Sequence, residues 1–121
     1  MKYFMHLNPR PFNAIKAKTK KIEGRSPHDE NERLSEYEKM QPGDTILFEN
    51  NQTHQILNTK IKFIHHYQSV RQMLQTEGVE NVLSSKGTIE EGIESYNSLG
   101  DYKERIKKFG IYAIGIEPIE V

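Results

Sequence analysis

The run Ile111-Tyr112-Ala113-Ile114-Gly115-Ile116 constrains this chain's fold more than any other stretch. It is almost wholly apolar and opens directly after Gly110, so neither side of it is left for water. That is the signature of a strand covered on both faces. The chain is therefore expected to place its C-terminal strand inside a sheet, with other elements packed above and below it.

The remaining elements follow from periodicity. Tyr3, Met5 and Leu7 alternate with Lys2, Phe4 and His6, which predicts a first strand with one face on the core. Asn8 as N-cap, Pro9 at the first helical position and the Phe12/Ile15 spacing predict a short helix. From Lys20 to Arg25 the pattern is extended again, with Ile22 inward and Lys21, Glu23 and Arg25 sharing the other face. Residues 26 to 41 are polar and acidic and predict a long loop, with a turn of helix around Glu32 to Glu38. Gln41-Pro42-Gly43-Asp44 suits a type II turn leading into the strand 45–48. Asn50, Asn51 and Gln52 then reverse the chain into a long strand that places Leu57, Thr59, Ile61, Phe63 and His65 on one face. Beyond Gln68 the period becomes helical: Val70, Met73 and Leu74 up to Gly78, then Val79, Val82 and Leu83. Thr88 and Glu91 form a capping box, and Tyr102, Ile106 and Phe109 form a last helical stripe ending at Gly110. The order predicts a mixed α/β (α+β) architecture, a small β-barrel of about five strands with short helices packed around it, as a single domain over residues 1–121.

Composition excludes several chemistries. With no cysteine among 121 residues, disulfides, thiolate zinc sites and a cysteine nucleophile are ruled out, and a reducing compartment fits. No apolar run approaches the ~20 residues of a membrane span and no signal-type segment opens the chain, so the expected location is cytoplasmic. Net charge is zero, which argues against indiscriminate nucleic-acid binding. That average conceals a segregation: residues 1–25 are strongly basic, whereas residues 26–50 carry most of the early acids. A local basic patch and mutual neutralisation across a loop both fit this pattern.

Lys20, Glu23 and Arg25 form the sharpest candidate site. The two cations can donate to phosphate or a base carbonyl, and the carboxylate can accept from a nucleobase amino group or ring N–H. The same three residues would also make an ordinary salt-bridge ladder on a strand surface. Lys16, Lys18 and Lys21 are expected near that cleft as phosphate contacts, or simply as solubilising charges. Tyr96 and Tyr102 lie on apolar helical stripes and are expected in the core, and no stacking role is assigned to Tyr112. His6, His28, His54, His65 and His66 lack metal-ligand spacing, and adjacent strand histidines point to opposite faces, so no metal is expected. Ser84-Ser85-Lys86 suits a turn better than a serine nucleophile with a lysine base. Rossmann and P-loop signatures are absent, and no cofactor is expected.

Four segments carry a family resemblance: Pro11-Phe12-x-x-Ile15-Lys16, Lys20-Lys21-Ile22-Glu23-Gly24-Arg25, Gln41-Pro42-Gly43-Asp44-x-Ile46-x-Phe48, and Lys108-Phe109-Gly110-Ile111-x-Ala113-Ile114. In this order and spacing they resemble the ASCH domain, and the Ile89-Glu90-Glu91-Gly92 region is similar to small stand-alone ASCH proteins of bacteria and archaea. The resemblance implies a PUA-like β-barrel with a cleft beside the first helix and the Lys-x-x-Glu-x-Arg strand. It also implies RNA or a modified nucleoside or nucleotide as partner, with Lys16, Lys18, Lys20, Lys21, Glu23 and Arg25 as ligand-binding residues. One branch of the family hydrolyses acetylated cytidine, using a lysine that activates a threonine three residues on together with a downstream glutamate. Other members have been proposed to cut RNA. Here Lys20 matches the lysine, Glu23 stands where the threonine would be, and Ser84-Ser85-Lys86 lies where the glutamate is expected. If the chain is an enzyme, Lys20 serves as base and Glu23 as acid or base through water. A protein partner, if there is one, would meet the acidic loop 28–38.

Overall fold

The computed structural model describes residues 1–119. Five strands, β1 (Lys2–Leu7), β2 (Ile22–Arg25), β3 (Thr45–Asn50), β4 (Ile56–Tyr67) and β5 (Ile111–Pro118), form one mixed sheet in the order β1-β3-β4-β5-β2. The sheet curls into a half-barrel, and six helices pack around it among the described residues: α1 (Pro9–Lys16), α2 (Glu30–Glu32), α3 (Val70–Glu77), α4 (Val79–Val82), α5 (Ile89–Asn97) and α6 (Tyr102–Phe109). β1 runs parallel to β3 and every other pairing is antiparallel. None of these helices is long and apolar enough to cross a membrane.

β5 explains the division of the interior. It has β4 on one side and β2 on the other, and all six residues from Ile111 to Ile116 are buried. Tyr112, Ile114 and Ile116 face a core shared with β1, α1, β3 and β4, in which Phe12, Ile15, Ile46 and Phe48 are wholly enclosed. Ile111 and Ala113 face a second core with Ile22, Met73, Leu74, Val82, Tyr96 and Ile106 from the helical block. The apolar run is thus split by its own alternation between two hydrophobic layers, as a doubly covered strand must be.

β4 departs from the expected alternation. A bulge between Ile61 and Phe63 shifts the register against β5, so that Ile61 and Ile64 pack on the first core while Phe63 turns to the second. One extra residue in the strand reverses which side chains face which layer. Phe63 accordingly lies with His65 and Tyr67, its ring stacked on His65 at 4.5 Å. His66 points the other way, against Tyr112.

The acidic segment is more ordered than a loop. Asp29 caps α2 by accepting from Glu32 N–H at 2.8 Å, and Glu32 returns the bond to His28 N–H at 2.9 Å. A π-helical turn, Arg33–Tyr37, then drives Tyr37 into the core, where it stacks on Tyr112 at 5.2 Å. Asn8 starts α1 as expected but makes no side-chain cap. Its Oδ1 instead accepts from Asn51 Nδ2 at 2.6 Å, tying that helix start to the β3–β4 turn.

Candidate functional site

The site begins with the way α1 ends. Ala14 O accepts from Thr19 N–H, Lys20 N–H and the Thr19 hydroxyl, while Lys18 takes a left-handed φ of 65° that lets the chain double back. This reversal aims Lys20 inward rather than along the strand. It corrects the expected extended run from Lys20: β2 starts at Ile22, and Lys20, although two residues outside it, is only 4% exposed.

The Lys20 ammonium donates to Ile22 O at 2.6 Å and to Val82 O, and stands 3.4 Å from Glu23 Oε1. Glu23 Oε2 accepts from Arg25 Nε at 2.7 Å, and Arg25 Nη2 donates to His6 O at 2.8 Å. β1 and β2 are the two edges of the sheet. A continuous polar chain from the end of α4 through Lys20, Glu23 and Arg25 to β1 therefore spans the open side of the half-barrel. It closes by side chains what the strands leave unpaired.

The charges are mutually dependent. Burial pulls the Lys20 pKa down, and Glu23 only partly offsets this. Burial alone would push the Glu23 carboxyl up, yet Arg25 and Lys20 outweigh it and hold Glu23 below the usual carboxylate range. Arg25 is raised further, since Glu23 more than repays its burial. With three acceptors around it, the Lys20 nitrogen fits as an ammonium with all three N–H groups committed.

This chain lines a cleft of about 450 Å³. One wall is polar and basic, made of His6, Asn8, Arg10 and Asn51; the other is largely apolar, made of Val82, Leu83, Tyr96, Leu99 and Tyr102. Arg10 is exposed at the rim, as is Leu99 at 45%. Tyr96 and Tyr102 are core residues, as their stripes predict, that also show an edge to the cleft. The two rings stack on each other at 6.5 Å, and Arg105 lies 5.2 Å over Tyr102.

Of the residues singled out in the sequence, Lys20, Glu23 and Arg25 come together at the cleft, whereas Lys16, Lys18 and Lys21 are exposed and not among its lining residues. The basic group at the rim is instead Arg10, with Asn8 and Asn51 beside it. No periodicity marks these three; they meet because α1 and the β3–β4 turn come together across the edge of the sheet. The acids of segment 28–38 are mostly spent internally: Glu30 and Glu38 pair with Arg33, and Glu38 also accepts from the Tyr112 hydroxyl. Among the described residues no group of three or more His, Asp or Glu side chains is arranged to hold a metal ion.

Gly24 lies between Glu23 and Arg25 because nothing larger fits. A Cβ there would come 2.4 Å from Tyr96 Oη and 3.2 Å from Met73 Cε. Gly24→Ala is expected to cost roughly 1–3 kcal/mol of stability, as overpacked cores do, read from the urea midpoint.

The family model for the ASCH domain matches residues 5–120. Among solved structures, the hypothetical protein PH0355 is 44% identical over 98% of this chain and 100% of its own, with a TM-score of 0.81. The protein PF0455 from Pyrococcus furiosus is 42% identical over the whole of both chains, with a TM-score of 0.73. ZmASCH from Zymomonas mobilis, solved as its S128A mutant, shares the fold at 14% identity, with a TM-score of 0.59 over 98% of this chain and 71% of its own. No curated protein matches the chain. On the family match and these fold relatives, the chain belongs to the ASCH domain family, whose members in general bind RNA.

Proposed function

We propose that this protein binds RNA, or a modified nucleoside or nucleotide, in the cleft floored by Lys20, Glu23 and Arg25. The observation that carries the reading is a carboxylate held ionised beneath an open cleft, with an apolar wall on one side and a basic rim on the other. An ionised carboxylate only accepts hydrogen bonds, at about four lone-pair sites, and Lys20 and Arg25 occupy two of them. The remaining acceptor capacity suits the amino and ring N–H edge of a nucleobase. Arg25 commits two of its five N–H groups to Glu23 and His6 O, leaving donors for a base carbonyl or phosphate. The apolar side chains of Leu83 and Leu99 would take one face of a planar ring, and Arg10 at the rim would take a phosphate.

The test is calorimetric titration of the wild type and Glu23→Gln with a panel of modified nucleosides and short single-stranded RNAs. The amide replaces an acceptor with a donor, and the expected loss is about 1–3 kcal/mol of binding, roughly 5- to 150-fold in affinity. Unchanged affinity across the panel would sink the reading. A hydrolase or ribonuclease using the same cleft is the second reading, favoured by a buried lysine of lowered pKa in contact with a carboxylate. Turnover abolished in Glu23→Gln with binding retained would assign Glu23 to chemistry instead of recognition.

A further inference from the structure

A second hollow of about 450 Å³ adjoins the cleft, bounded by Thr19, by Val79 and Glu80 of α4, and by the loop 83–87. Leu83 and Ser84 line both hollows, so the two adjoin with these residues as the ridge between them. The ridge is built rather than incidental. Val82 O is held by the Lys20 ammonium and Asn81 O by Lys21 N–H at 2.9 Å, which fixes the end of α4 against β2. The Leu83 side chain then fits against two glycines: a Cβ on Gly87 or Gly92 would come 3.4 or 3.3 Å from its Cδ1.

Both compartments lie at the small end of the size range for ligand sites, each suited to one nucleotide unit and neither to several. They also repeat the same ingredients. The first has Glu23 beside Arg25; the second has Glu80 with Lys86, whose ammonium makes no ion pair among the described residues. Ser84 lines both compartments and Ser85 the second, so these two residues stand beside the junction between them.

We propose that the ligand is a single strand of at least two nucleotides. One unit lies over Glu23 and its neighbour in the hollow at Lys86, with the phosphodiester passing Ser84. This rests on the reading of the cleft as a nucleotide site. It gives the Ser84-Ser85-Lys86 loop a role in holding the strand's backbone, which a free nucleoside would never reach.

The test titrates the full chain and Lys86→Ala with a nucleoside, its 5′-monophosphate, and single-stranded RNAs of two and four nucleotides at several salt concentrations. Lys86 is an exposed side chain, so the variant is expected to fold like the parent. The four-nucleotide RNA is expected to bind about tenfold or more tighter than the monophosphate. Lys86→Ala is expected to remove much of that gain and to reduce the salt slope by about one, leaving nucleoside affinity unchanged. Oligonucleotides that bind no tighter than the monophosphate, or a Lys86→Ala variant indistinguishable from wild type, would overturn the two-unit proposal and leave the cleft reading standing. If none of the four probes binds, the cleft reading itself falls and this proposal with it.

Discussion

Lys20→Met is expected to lower the unfolding free energy by roughly 3–5 kcal/mol, the usual cost of removing one member of a buried ion pair. Methionine fills a similar length without a charge, so the loss is electrostatic rather than a cavity. Ile22 O and Val82 O lose their buried donor, and Glu23 keeps only Arg25 as partner. A chain of this size should unfold some 10–20 °C earlier, by approximate scaling with the entropy of unfolding. The pH dependence gives an independent check. Because Glu23 is held below its unfolded pKa, its contribution is complete above about pH 4.3 and is lost as pH falls through the folded value. The gap between variant and wild type therefore narrows in acid, where the wild type loses what the variant already lacks. Were Lys20 only a ligand contact, binding would fall and the melting temperature would stay put.

The sequence carried the layout of the fold because most of its signals are local. Alternation in β1, the positive φ of 96° at Gly43, the Thr88/Glu91 capping box and the doubly buried β5 all depend on residues a few positions apart. What it hid depends on distant partners. The bulge at Lys62 is decided by how β4 lies on β5, and nothing in residues 56–67 alone announces it. The site divides in the same way. Lys20, Glu23 and Arg25 stand close enough in sequence to be grouped, but strand parity puts Lys20 opposite Glu23. Only the turn anchored on Ala14 O brings them together. Lys16, Lys18 and Lys21 look equally basic in sequence; the turn that buries Lys20 leaves them outside.

Gly110→Ala is the second large effect, again roughly 3–5 kcal/mol, and its origin is backbone sterics. Gly110 joins α6 to β5 at φ 75° and ψ −159°, a region essentially reserved for glycine. A Cβ there would come 2.4 Å from Tyr67 O and 2.6 Å from His66 Nε2. The first of these is main chain of the neighbouring strand and cannot swing aside as a side chain could. Relief requires prying the end of β4 from β5 where Tyr67 pairs with Ile111, and disturbing the 2.8 Å bond from Ser26 Oγ to Gly110 O, which anchors the chain directly after Arg25. Backbone strain of about 1–3 kcal/mol and a comparable overpacking cost together give the estimate. Gly43 supplies the internal comparison: its φ is 96°, but a Cβ there meets nothing within 4 Å. Gly43→Ala should therefore show the backbone component alone, roughly 1–2 kcal/mol. Urea unfolding of the two variants in parallel isolates the contact with Tyr67 O. Equal losses would mean that the close approach of α6's end to β4 contributes nothing, and that the glycine is there for its dihedral angle only.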